Sequence, residues 1–236
     1  MNRIDPVCVS LIVIAKAPVA GRAKTRLIPD LGADGAAAIA AACLTDTLTA
    51  VAATPAARRV LALEGKPGSW LPEGFDVIPQ RAGGLDQRLA GAFEDSGATP
   101  ALLVGMDTPQ ITPELLGASA AELAGGCDAV IGGAPDGGYW AIGLRRADPR
   151  AFDGVPMSQP DTGRHQRAAL DRLGLRVRTL RTLRDVDDHA DAVAVAAEAP
   201  TTRFARALAE LGPLPSSRDA TGSPTRSPTT GTESRR

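Results

Sequence analysis

The chain has 236 residues, of which 44% are hydrophobic and only 3% aromatic. One α/β domain of that size buries roughly 70 to 75% of its unfolded surface, and the length leaves no room for a second full domain. A formal net charge of −1 and a pI near 6.1 exclude the broad basic face of a nucleic-acid binder, so the basic residues matter only where they cluster.

The first element is an apolar, β-branched run at 7–15. Arg3 ahead of it and Ala15-Lys16-Ala17 at its end sketch a signal peptide, but Asp5 and Pro6 break the usual front end, and the run reads as a first core strand. It passes directly into Lys16-Ala17-Pro18-Val19-Ala20-Gly21-Arg22-Ala23-Lys24-Thr25-Arg26-Leu27, a loop with four cations and no acid. A buried strand ending in such a loop, followed by an alanine-rich helix at 33–53, is how α/β enzymes build a polyphosphate site. Gly21 permits close backbone approach, while Lys16, Arg22, Lys24 and Arg26 offer point charges and guanidinium forks to phosphate oxygens. A Walker A motif is absent, and a solvated loop with scattered cations is the structural alternative.

Further strand-like runs lie at 58–63, 75–79, 101–105, 129–133, 139–144 and 176–183, with helical patterns at 85–94, 113–123, 162–173, 188–199 and 203–211. This alternation predicts a three-layer α/β/α architecture with a Rossmann-like, mostly parallel sheet. Thr112 suits a helix cap and Pro113 a first turn, which places Asp107 in a strand-to-helix loop at the carboxyl edge, where open sheets bind ligands. A carboxylate there suits Mg²⁺ (or Mn²⁺), and an Asx turn is the structural alternative. In Asp185-Val186-Asp187-Asp188, Asp188 and the later Asp191 fit the first turn of a helix, whereas Asp185 or Asp187 is positioned to complete a metal site with Asp107. Between two strands, Gly132-Gly133-Ala134-Pro135-Asp136-Gly137-Gly138-Tyr139-Trp140 lets backbone amides approach a substrate and offers Asp136 to a hydroxyl; a hairpin on Asp136-Gly137 is compatible with that role.

His165 and His189 fall in predicted helices without a nucleophile motif, which disfavours triad chemistry. Cys8, Cys43 and Cys127 lack Cys-x-x-Cys spacing and read as small buried hydrophobes. After residue 15 no run reaches the 18 or more apolar residues of a membrane span, so a cytoplasmic, soluble chain without membrane or nucleic-acid partners is expected. The composition divides the chain into one domain, 1–212, and a disordered Pro/Ser/Thr/Gly-rich tail, 213–236.

Four motifs in order resemble the nucleotide-diphospho-sugar transferase superfamily, and within it the bacterial family labelled arsenosugar-biosynthesis glycosyltransferase. They are Lys16, Pro18, Gly21, Lys24, Thr25, Arg26 and Leu27; Gly105, Asp107 and Pro109; Asp136 to Tyr139 with Ile142 to Leu144; and Asp185 to Asp187. The basic loop is also similar to that of phospholactate and phosphoenolpyruvate guanylyltransferases. Met157-Ser158-Gln159 and the segment from Gln80 to Asp86 depart from the family pattern. The resemblance implies a glycosyltransferase-A-type fold, with Lys24, Asp107 and Asp136 as catalytic residues. It assigns Lys16, Gly21, Arg22, Lys24, Arg26, Arg88, Gly137, Gly138 and Tyr139 to nucleotide or substrate binding, and Asp107 and Asp187 to Mg²⁺.

The leading expectation is a nucleotidyltransferase that moves NMP from an NTP to a small phosphorylated or hydroxylated acceptor with release of pyrophosphate. A glycosyltransferase using an NDP-sugar, with Asp136 as acceptor base, is the alternative, although Asp-x-Asp is missing at Asp107-Thr108-Pro109. A non-catalytic nucleotide-binding module is the third reading.

Overall fold

Leu11, Ile12 and Val13 are all buried, as expected of a strand covered on both faces. They belong to Ser10–Lys16 (β1) in a computed structural model that describes residues 8–212; the expected tail, 213–236, lies outside the described residues. The other strands are Arg59–Glu64 (β2), Asp76–Pro79 (β3), Ala101–Gly105 (β4), Ala129–Gly133 (β5), Tyr139–Leu144 (β6) and Val177–Thr179 (β7). The helices are Ile28–Ala53 (α1), Leu85–Ser96 (α2), Pro113–Ala124 (α3), Thr162–Arg172 (α4), His189–Glu198 (α5) and Arg203–Leu211 (α6).

The seven strands form one sheet in the order β3-β2-β1-β4-β6-β5-β7. Every pairing is parallel except those of β6, which is antiparallel to β4 and β5. Alternation along β1 sends Leu11 and Val13 to one face, against Leu44, Leu48, Leu116 and Leu123 of α1 and α3. It sends Ile12 to the other face, where Leu89 and Phe93 of α2 and Leu170 of α4 pack. The expected three layers result. Because β1 lies between β2 and β4, the chain leaves it in opposite directions, and a crevice opens at the carboxyl ends of β1 and β4.

Thr112 caps α3 by accepting from Leu115 N at 3.2 Å, with Pro113 in the first turn. Three expectations need correction. The continuous helix after the non-helical Gly32 (φ 73°, ψ 169°) follows the expected 33–53; what the sequence did not signal is the turn that precedes it, from Ile28. β7 is three residues long, since beyond Thr179 the chain contacts β5 only through Leu180 N to Ile131 O and Leu183 N to Gly133 O. Cys8 is exposed, because it precedes the first ladder residue, and Cys127 is only half-buried; Cys43 alone is fully buried.

A fourth correction concerns hydropathy. The helical span Thr25–Ala53 is long and apolar enough to cross a membrane by length and composition. Its Leu31, Ile39, Leu44 and Leu48 are buried in this fold, facing the sheet on one side and α5 and α6 on the other, which accounts for its character as a core helix.

α6 is fastened to α1 by Asp46, whose two oxygens accept from Arg203 N at 3.2 Å and Phe204 N at 2.8 Å, beside the Thr202 cap on Ala205 N. Asp46→Ala removes partners from two helix-start donors and is expected to cost about 1–2 kcal/mol in urea denaturation; an unchanged midpoint would show that Thr202 alone caps the helix.

Candidate active site

The basic loop is organised by Lys24. It adopts the left-handed conformation (φ 47°, ψ 47°) immediately before a short 3-10 turn, Thr25–Leu27, a backbone state that costs an L-residue unless its surroundings hold it. The side chain supplies that hold. Its ammonium lies 2.7 Å from Asp107 Oδ1 and 3.7 Å from Asp187 Oδ1, and donates to Val186 O. Desolvation works to lower the Lys24 pKa, but the charges of Asp107 and Asp187 help to overcome it and hold the ammonium above the ordinary lysine value. Asp107 Oδ1 is buried and meets this cation as an ion pair without a well-directed hydrogen-bond donor. The Asp107 carbonyl accepts from Val186 N at 2.8 Å, so three distant segments meet at one lysine.

Asp187 faces two ways. Its Oδ2 accepts from the Arg26 guanidinium at 3.1 Å, and Arg26 is 74% exposed. Asp136, Asp185 and Asp187 also bring carboxylate oxygens within 4.8 Å of one another. Desolvation first, then the charges of Asp136 and Asp187, push the Asp185 pKa up to about 6. All-oxygen donors under mutual repulsion fit a hard divalent cation.

Asp136 is placed by the glycine loop. Its Oδ1 accepts from Gly138 N at 2.8 Å, and Gly137 takes φ 87° with its Cα packed so closely on Pro160 that a Cβ would lie 1.7 Å from the Pro160 carbonyl oxygen. Gly163 N, in the first turn of α4, donates to Gly137 O at 2.8 Å. Only glycine fits at 137. Tyr139 lines the cleft, but its hydroxyl donates to Gln166 Oε1 at 3.0 Å, and burial raises its pKa. Its hydroxyl is thus committed to the fold.

A cleft of about 720 Å³ runs along the carboxyl edge, with Lys16, Glu64 and Arg88 on the β2 side and Asp136, Asp185 and Asp187 on the other. A smaller recess of about 240 Å³ opens beside it under Arg22, Lys24 and Arg26, sharing Lys16, Arg26, Met106, Asp107 and Asp187 with the cleft. Lys16 and Arg88 converge on Glu64 at 3.1 and 2.6 Å; the Lys16 hydrogen bond leads in holding Glu64 below the usual glutamate range. Gln80 donates to Ala15 O at 2.7 Å and Ala62 O at 3.0 Å, tying the ends of β1 and β2.

The structure therefore gathers Lys16, Arg22, Lys24, Arg26, Arg88, Asp107, Asp136 and Asp187 around two connected hollows, and sets Lys24 between Asp107 and Asp187. Glu64 was not anticipated. Its position is fixed by the Lys16–Glu64 register of β1 and β2, which local sequence patterns do not report. A charged residue closing an otherwise apolar strand-like run was the available signal. Asp188 caps α5 through Asp191 N at 2.9 Å, and Asp191 pairs with Arg184 at 2.8 Å, so both serve the helix as expected. His165 pairs with Asp161 at 3.2 Å on α4.

The raised Asp185 pKa has a sign. Between the ordinary aspartate value, 3.8, and about 6, the unfolded chain ionises first, so crowding costs folded stability as pH rises through that window. Asp185→Asn is expected to raise the thermal midpoint in metal-free buffer at pH 7 and to change it little at pH 4; an equal effect at both pH values would mean that burial and the neighbouring carboxylates do not raise the Asp185 pKa.

Residues 38–159 match a family described as uncharacterized proteins conserved in bacteria, DUF2064. No curated protein matches the chain. A protein from Desulfovibrio desulfuricans G20, provisionally named a nucleotide-diphospho-sugar transferase, is 26% identical over 89% of this chain and 95% of its own, with a TM-score of 0.77. CMP:2-keto-3-deoxy-manno-octonic acid synthetase, solved with CTP, is 13% identical over 85% of this chain and 100% of its own, TM-score 0.53. The 4-diphosphocytidyl-2C-methyl-D-erythritol synthase of Anaerococcus prevotii DSM 20548 is 10% identical over 83% and 99%, TM-score 0.53. The last two share the fold. None of these three structures carries the arsenosugar-biosynthesis name. With more than half of its length matched, the chain belongs to the bacterial DUF2064 family, on a nucleotide-diphospho-sugar transferase fold.

Proposed function

We propose that this protein is a transferase acting on a nucleotide-activated substrate, and specifically a nucleotidyltransferase that moves NMP from an NTP to a small acceptor. One observation carries this reading: a basic recess and a larger cleft share Lys16, Asp107 and Asp187 on their common rim. A triphosphate laid under Arg22 and Arg26 would present its α-phosphorus at that rim, with the nucleoside and acceptor in the cleft.

Transfer of this kind depends on placement and charge stabilisation more than on a protein nucleophile. Arg22 and Arg26 bind phosphate oxygens through planar guanidinium forks, and Lys24 fixes the loop that carries them. The acceptor oxygen forms a bond to the α-phosphorus as the bond from that phosphorus to the bridging oxygen breaks. Pyrophosphate leaves; an acceptor phosphate attacks already ionised, and an acceptor hydroxyl gives its proton to solvent in the open cleft. Asp136, Asp185 and Asp187 would hold a divalent cation, which supplies neutralisation of phosphate charge when bound.

Transfer of a sugar from an NDP-sugar is the second reading, favoured by the name of the Desulfovibrio relative. Pyrophosphate release, measured with each NTP against a panel of sugar phosphates, phospho-acids and polyols, decides between them: release with one NTP and one acceptor supports nucleotidyl transfer. Silence with every NTP, together with turnover of an NDP-sugar, would replace it. Arg26→Ala removes a charge-assisted contact worth about 1.5–3 kcal/mol and is expected to raise the apparent KM for the NTP at least tenfold. An unchanged KM would remove Arg26 from the triphosphate site.

A further inference from the structure

Asp107 and Asp187 both reach the ammonium of one buried lysine. The Lys24 side chain is 7% exposed, with its ammonium 2.7 Å from Asp107 Oδ1 and 3.7 Å from Asp187 Oδ1. An ion bridging those two carboxylates, which are 37% and 38% exposed, would meet the fixed positive charge of the buried Lys24 at contact range, and like charges that close repel. Lys24 is also held from two further directions: its ammonium donates to Val186 O, and its backbone is fixed in the left-handed state.

On the other side of Asp187 the situation is reversed. Asp136, Asp185 and Asp187 converge within 4.8 Å; Arg26 reaches Asp187 at 3.1 Å from a side chain 74% exposed, and Lys24 approaches the cluster only through Asp187 Oδ1, at 3.7 Å. The superfamily resemblance pairs Asp107 with Asp187 around a metal; here Asp107 stands outside the three-carboxylate cluster, and the Lys24 ammonium contacts both.

We propose that Lys24 takes the place of a metal ion at Asp107, so that Asp107 is a positioning residue for Lys24 and the basic loop, while a divalent cation is held by Asp136, Asp185 and Asp187. This inference rests on the reading above that the site works with a divalent cation. It assigns different losses to two neighbouring aspartates. Removing the Asp107 charge loosens the loop that grips phosphate and leaves the cation site intact. Removing the Asp185 charge empties the cation site and leaves the loop in place.

Mn²⁺ binding to the full-length chain without nucleotide, read by electron paramagnetic resonance of the free ion, tests the division. Wild type is expected to bind one equivalent, Asp107→Asn to bind it within twofold, and Asp185→Asn at least tenfold more weakly. A tenfold loss in Asp107→Asn, no loss in Asp185→Asn, or no binding by wild type would overturn the proposal. Should Asp107→Asn fail to fold, Lys24→Met serves instead: a second Mn²⁺ equivalent, admitted between Asp107 and Asp187, supports the proposal, and a stoichiometry still at one overturns it. Triphosphate affinity without metal, by titration calorimetry, is expected to fall at least fivefold in Asp107→Asn and to recover in Asp107→Glu, which restores the charge facing Lys24; failure to recover would overturn the positioning role. If wild type binds Mn²⁺ but no triphosphate, the nucleotidyltransfer reading fails, while the Mn²⁺ comparison still decides the division of the aspartates.

Discussion

The buried ion pair between Lys24 and Asp107 is the constraint on which the site depends. It joins the loop after β1 to the loop after β4, and through Val186 and Asp187 it draws in the segment ahead of α5. Lys24 and Asp107 are 83 positions apart and Asp107 and Val186 are 79, so no local propensity brings them together. A desolvated ammonium stays charged only with acidic partners at contact range, and that requirement selects the arrangement in which both aspartates face it. The left-handed backbone at Lys24 persists because these contacts over-determine it.

From that junction the charges of the crevice separate into regions with different chemistry. Exposed guanidinium groups at Arg22 and Arg26 stand over the smaller recess, carboxylates crowd one part of the cleft, and Glu64 and Arg88 line its β2 side, joined to the shared rim through Lys16. Glycine makes the acidic end possible, because the approach of Gly137 to Pro160 leaves no space for a side chain. The fold contributes a sheet whose carboxyl edge opens between β1 and β4, the place where doubly wound sheets present their loops to ligands.

Much of this was legible in the sequence, for physical reasons that can be named. Strands buried on both faces are short continuous apolar runs, so β4, β5 and β6 stand out at 101–105, 129–133 and 139–144, and β1 as the run 7–15, of which the ladder takes 10–16. The cap Thr112 and first-turn Pro113 mark α3 and thereby fix the loop that carries Asp107. What stayed hidden depends on contacts across the sheet. Glu64 is invisible as a partner of Lys16 and Arg88 until β1 and β2 are in register. Lys24 reads as one of four equivalent cations, yet it is buried while Arg26 is exposed, a difference set by which side of the loop faces α1. The hydropathy of α1 likewise reflects burial between sheet and helices, which composition alone does not separate from a membrane span.

A double-mutant cycle in stability addresses the central pair directly. Denaturant unfolding of Lys24→Met, Asp107→Asn and the double variant isolates the coupling between the two side chains. Asp107→Asn leaves the buried Lys24 ammonium with only Asp187 and the Val186 carbonyl, Lys24→Met leaves a partly exposed carboxylate, and each is predicted to cost about 1–2 kcal/mol, with the double variant little worse than either single one. Costs that simply add, with coupling near zero, would contradict the account and reduce Lys24 to one more surface cation.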